Sequence, residues 1–197
     1  SIEYNDVVSK LDKLPLPLID EQLVKLFDDY ALEKVSDSRL FAKRLLDAAL
    51  TNDENDSSHF QIAFSTSPLA GVRPLHDAAT IDRNTKVFGH INGSDPLDEV
   101  VIAKWQYLRT GEIISFRNRA LNTNGREQYV WARPKSGWRE GQYRVSLYTM
   151  DNQVAPIGSG TFSIASIRDS QPGEPTNDAV MQDFINSGQL FSVTKTQ

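Results

Sequence analysis

The segment Trp138-Arg139-Glu140-Gly141-Gln142-Tyr143-Arg144-Val145-Ser146-Leu147 constrains the fold more than any other part of the chain. A glycine precedes a tyrosine by two residues. Tyr143, Val145 and Leu147 then alternate with polar neighbours, the period-two pattern of a strand with one face in a core. Six more β-rich runs surround it, separated by turn signals such as Thr110-Gly111 and Asn124-Gly125. The predicted strands are His59–Thr66, Lys86–Ile91, Glu99–Leu108, Glu112–Ala120, Glu127–Arg133, Gln142–Thr149 and Gly160–Ser166. Seven strands in about 110 residues is the number expected of a two-sheet sandwich.

Both ends differ from this middle. Val7, Val8, Leu11 and Leu14 have helical spacing over 5–14, and Pro15 and Pro17 are expected to stop that helix and impose an extended link. Asp20 is placed to cap a second helix at 21–34, with Leu23, Leu26, Phe27 and Tyr30 on one stripe. Ser36 is placed to cap a third at 37–50, with Leu40, Phe41, Arg44, Leu45 and Ala48 around its inner side. Such short helices need an apolar surface to pack on, so they are expected to cover the sandwich or another subunit. Polar residues 51–58 form a boundary. After Ile167 a Pro/Gly-rich linker leads to a short amphipathic stretch at 177–186, then to Leu190-Phe191-Ser192-Val193. The chain thus divides into 1–58, 59–167 and 168–197.

Composition excludes several function classes. There is no cysteine, which removes disulfides, thiolate nucleophiles and thiolate metal sites. No apolar run reaches the roughly 18–20 residues that span a bilayer. The start at Ser1 is taken to follow removal of an upstream targeting or anchoring segment. The net charge of −5 is unevenly spread. Residues 1–58 hold 7 Lys/Arg against 13 Asp/Glu, whereas residues 104–144 hold 9 against 3. A basic middle beside an acidic front suits internal attraction or an anionic partner.

The strand containing Tyr143 resembles the sixth strand of immunoglobulin-like domains. Tyr143 stands at the tyrosine-corner position, two before Val145, which occupies the usual cysteine position. Trp105 stands where such domains place their core tryptophan, and Val87 or Phe88 replaces the partner cysteine. A narrower likeness, over about residues 85–166, is to bacterial envelope domains with a Trp strand, a Trp-x-x-Gly-x-Tyr-Arg-Val strand and a final Gly-Thr-Phe-x-Ile strand. The resemblance implies a seven-stranded immunoglobulin-like antiparallel sandwich; with the N-terminal α-helical segment and the extended C-terminal tail read from the residue pattern, the chain is expected to be mainly β. Its core is to include Trp105, Tyr143, Val145 and Leu147. The resemblance also implies a periplasmic or extracellular accessory with no catalytic residue; the start at Ser1 leaves room for an upstream anchor, and no cofactor motif is present.

The candidate binding surface follows from alternation. If Ile114, Phe116, Val130 and Ala132 face the core, then Arg117, Arg119, Tyr129, Trp131 and Arg133 share the outer face. The strands at 112–120 and 127–133 are expected to be neighbours. An aromatic surface flanked by three guanidiniums suits either coverage by the helices of the same chain or a protein partner, including one in a membrane-anchored complex; sugar rings are the first rival for a partner. The second rival is a sensory domain with a small-molecule pocket between helices and sandwich.

Other constellations are weak. The acidic loop with Asp53, Glu54 and Asp56 lacks the calcium-loop pattern. His59, His76 and His90 share no metal-ligand spacing. His76-Asp77 has no nucleophile elbow to complete it. The acidic overall balance argues against nucleic acid. The sequence predicts a non-enzymatic protein-interaction module.

Overall fold

A computed structural model describes residues 4–51, 60–76, 78–93, 99–121 and 128–169. The predicted helix at 177–186, the stretch at 190–193 and the acidic residues Asp53, Glu54 and Asp56 lie outside the described residues. Four helices come first: α1 (Tyr4–Lys13), α2 (Leu16–Leu26), α3 (Asp29–Leu32) and α4 (Ser38–Leu50). Eight strands follow: β1 (Phe60–Ser65), β2 (Ala79–Asp82), β3 (Val87–Asn92), β4 (Val100–Tyr107), β5 (Glu112–Ala120), β6 (Tyr129–Ala132), β7 (Gly141–Thr149) and β8 (Pro156–Arg168).

The strands form a mainly β, nearly closed, barrel-like sheet in the order β5-β4-β7-β8-β1-β3-β6, with β2 added beside β8. Strand β8 joins its two halves. It pairs antiparallel with β7, and parallel with β1 at its start and β2 at its end. Gly158 and Gly160 permit that crossing. A Cβ at Gly160 would lie 2.7 Å from the Ile62 carbonyl oxygen, and one at Gly158 2.8 Å from that of Phe60.

One face of β4 and β7 looks into the sheet's interior. Val101, Ala103, Trp105 and Tyr107 alternate inward from β4, and Tyr143, Val145 and Leu147 from β7. They meet Phe60, Ile62 and Phe64 of β1, Val87 of β3, Val130 of β6 and Phe162 of β8. The rings of Trp105, Trp138, Tyr143 and Phe162 pack at centroid distances of 5.0 to 6.2 Å. The four core residues expected from the sequence are at most 1% exposed.

The other face of the same strands is apolar too, at Ile102, Tyr148 and Met150, and the helices cover it. Ile19 and Leu23 of α2, Phe27, Ala31 of α3, and Phe41, Leu45 and Ala48 of α4 form this second core. Phe27 and Phe41 meet edge-on at 5.6 Å. The docking is secured by Lys104, 1% exposed on β4, whose ammonium donates to the carbonyls of Ala48 (2.6 Å) and Thr51 (2.9 Å). A cation at a helix C-terminus meets both the free carbonyls and the negative end of the dipole.

Several local expectations are corrected. Pro15 and Pro17 do not separate helices by an extended link; α2 begins at Leu16, with proline in its first turn, where a missing N–H costs nothing. Asp20 therefore lies inside α2 rather than at its cap. Asp37, not Ser36, caps α4, accepting from the Leu40 amide at 2.9 Å. The stretch expected as one helix at 21–34 breaks at Phe27 into α2 and α3. Strand β2 was not foreseen, because Ala79-Thr80-Ile81-Asp82 is too short to display alternation. The predicted neighbour relation between 112–120 and 127–133 does not hold: β5 pairs with β4 and β6 with β3, at opposite ends of the sheet.

Candidate functional site

The outer face of β3 and β6 carries Lys86 just before β3, then Phe88 and His90, beside Tyr129 and Trp131. Inner positions of both strands, Val87, Gly89 and Val130, pack within the sheet, so alternation sends these others outward. Phe88 and Trp131 are register partners, and the Phe88 and Tyr129 rings meet edge-on at 5.3 Å.

Trp131 is held by two cations. Lys86 Nζ lies 4.8 Å from its ring centroid, and the Arg119 guanidinium carbon 5.3 Å. Each such contact contributes about 0.5–1 kcal/mol at a partly exposed site. Arg119 comes from β5, the opposite end of the sheet. Its reach to Trp131 shows how closely the two end strands approach where the barrel fails to close.

The five residues singled out from sequence are therefore placed as follows. Tyr129 and Trp131 are half-buried on the outer face, and Arg133 is exposed just beyond β6. Arg117 and Arg119 occupy the opposite side of β5 from the one expected. Arg119 is the register partner of Val101 and Arg117 of Ala103, both inward residues, whereas Phe116 and Asn118 face the helices. Ile114 packs on the inner core as expected, but the β4–β5 register shifts between Trp105 and Gln106, so the parity is reversed from Ser115 onward and Phe116 meets Tyr148 edge-on at 6.2 Å on the helix side. The structure brings Arg119 and Trp131 together by facing strand ends rather than by a shared sheet face.

The electrostatics are one-sided. Among the described residues no carboxylate lies within 4 Å of Lys86, Arg117, Arg119 or Arg133. Burial first, and then Arg117, pushes the Arg119 guanidinium below its ordinary value; Asp28 and Tyr30 partly offset this. Those two belong to the border with the helices. Asn118 donates to Asp28 Oδ2 (3.0 Å) and to the Tyr30 hydroxyl (3.1 Å), and accepts from the Asp28 amide (3.3 Å). Asn118 is buried, so the helical segment covers the outer face of β5 near its end.

Lys86 was not singled out from the sequence. The signal was present in the alternation Lys86, Phe88, His90, but its proximity to Trp131 depends on β3 pairing with β6.

His90 Nε2 lies 2.9 Å from Ser65 Oγ and 3.1 Å from the Ser67 carbonyl, and the Ser65 hydroxyl lies 2.6 Å from that same carbonyl. A carbonyl only accepts, so Nε2 carries the proton and the hydroxyl donates to Ser67. Ser65 is 1% exposed and its proton is engaged, so the pair lacks the geometry of an activated nucleophile. An open cleft of about 350 Å³ lies between the end of α4 and the β7–β8 turn, lined by Arg44, Asp47, Tyr148 and Gln153 among others. It opens at one end of the border between helices and sheet; elsewhere along that border Phe27, Phe41, Ile102 and Tyr148 belong to one packed core. Among the described residues no three His, Asp or Glu side chains gather for a metal, and no helix is long and apolar enough to cross a membrane.

Compared with known proteins, the chain matches no family model and no curated protein sequence.

Proposed function

We propose that this chain is a non-enzymatic protein-interaction module of a bacterial envelope-associated protein, acting in the periplasm or outside the cell. Its scaffold is an immunoglobulin-like sandwich, and it binds through the surface formed by Lys86, Arg117, Arg119, Tyr129, Trp131 and Arg133. Three features support the scaffold reading. Strands β5-β4-β7-β8 and β1-β3-β6 have the order of the two halves of such a sandwich. The Tyr143 hydroxyl donates to the Arg139 carbonyl, as in a tyrosine corner. Trp105 fills the core from β4.

One observation carries the binding reading: a half-buried tryptophan held between two cations, in a group of four basic side chains without a carboxylate partner within 4 Å among the described residues. Aromatic residues and arginine dominate the energetics of protein interfaces. A sugar stacking on Trp131 would have to displace Lys86 or Arg119, which makes carbohydrate the weaker occupant.

The experiment is capture from a native envelope fraction with the wild-type chain and with Trp131→Ala/Arg133→Ala. Retention of a protein by the wild type, with loss in the variant at unchanged melting temperature, is expected. Equal retention by both would place binding elsewhere and defeat this reading.

A further inference from the structure

Two surfaces of this molecule are incomplete, and they are complementary. The first is the basic–aromatic surface around Trp131. The second is the exposed surface of α2 and α3. Leu16, Leu18, Val24, Leu26 and Tyr30 are 46–59% exposed there. Within residues 16–33 stand five carboxylates (Asp20, Glu21, Asp28, Asp29, Glu33) against one cation, Lys25, a net of −4. The helices already spend Ile19, Leu23 and Phe27 on the sheet, so the exposed leucines are surplus to the internal core.

We propose that each surface is completed by the other on a second copy of this chain. The inference rests on the reading of the Trp131 surface as a binding surface, and names its partner. Charge complementarity selects that partner: the acidic apolar helices of one copy meet the basic aromatic surface of the next, with leucines against Trp131 and Tyr129 and carboxylates against Arg117 and Arg133.

The position of the two surfaces favours a two-fold symmetry. The two surfaces border one another, because Tyr30 and Asp28 are bonded to Asn118 and interact electrostatically with Arg119. Adjacent complementary surfaces meet twice across a two-fold axis placed at their border. The assembly is therefore a closed dimer rather than an open chain of subunits.

Sedimentation equilibrium of the full chain tests this with two charge-reversed variants, Arg117→Glu/Arg133→Glu and Asp20→Lys/Glu33→Lys. All four positions are exposed, and melting temperatures check that both variants fold. The wild type is expected to dimerise, more weakly as salt is raised toward about 1 M, where screening is nearly complete. Each variant alone is expected to dissociate at least about tenfold more readily. Mixed in equal amounts they are expected to form a heterodimer, because both contacts then pair opposite charges. A monomeric wild type, a dimer indifferent to both variants, or a mixture that stays monomeric would each overturn the proposal. A monomeric wild type that still retains an envelope protein through Trp131 would overturn it while leaving the proposed function standing.

Discussion

The Tyr143 hydroxyl donates to the carbonyl of Arg139 at 2.8 Å and accepts from the amide of the same residue at 3.0 Å. One side chain in the middle of the sheet thereby fixes the approach to β7. Gly141, between them, takes φ +133°, and a Cβ there would stand 2.7 Å from the Tyr107 ring. Tyr143→Phe removes both bonds and leaves the Arg139 carbonyl short of a partner. A loss of about 1–2 kcal/mol is expected, read as a fall in melting temperature of about 2–4 °C per kcal/mol.

The same residue sets part of the alkaline stability. Burial raises the Tyr143 phenol above its ordinary value, and burial together with Asp28 does so for Tyr30. A raised folded-state value means that the folded chain holds its proton more tightly. The associated stability is complete below about pH 10 and is lost as the pH climbs through the folded values. Denaturant titrations above that pH should show a shallower decline for Tyr143→Phe than for the wild type; parallel curves would exclude Tyr143 as a source.

Lys104 ties the helices to the sheet. Lys104→Met keeps the aliphatic length but removes the ammonium that donates to the Ala48 and Thr51 carbonyls, leaving the Ala48 carbonyl only the longer bond from the Tyr148 hydroxyl (3.4 Å), and a cost of about 2–4 kcal/mol is expected. The loss should be local. Helical circular dichroism and amide protection in α4 should weaken at lower denaturant than protection in β4 and β7. A single coincident transition for all probes would mean that helices and sheet unfold as one unit, with no independent role for the clamp.

Trp105→Ala opens a cavity among Phe64, Trp138 and Phe162, and about 3–5 kcal/mol of destabilisation is expected. Gly160→Ala, adding one methyl against the Ile62 carbonyl, is expected to cost about 1–3 kcal/mol by overpacking. A melting temperature within error of the wild type for either would contradict the packing described.

The interior of the sheet was legible because Tyr143, Val145 and Leu147, and Trp105 with its neighbours, alternate cleanly. The predicted run Glu112–Ala120 matches β5 to the residue. Reading its faces failed for a physical reason. Unbroken alternation puts Phe116 with Ile114 in the sandwich core, yet the register shifts between them and the outward face has a cover of its own. Sequence periodicity reports that a side chain is buried, not which of two layers buries it. The proline segment failed similarly: Pro15-Leu16-Pro17 reads as a break, although proline in a first turn is compatible with a helix starting there. The Lys86–Trp131–Arg119 arrangement joins three strands that are remote in sequence, so no local pattern could display it.

The claim that the Trp131 surface binds rather than merely packs is tested most directly by photo-crosslinking in the producing cell. A photoreactive phenylalanine replaces Trp131, and, in a control, Leu50, which is 59% exposed at the end of α4. Protein adducts at position 131 and none at position 50 are predicted, whether the captured protein is a second copy or another envelope component. Adducts at position 50 alone, or at neither position, would contradict the account.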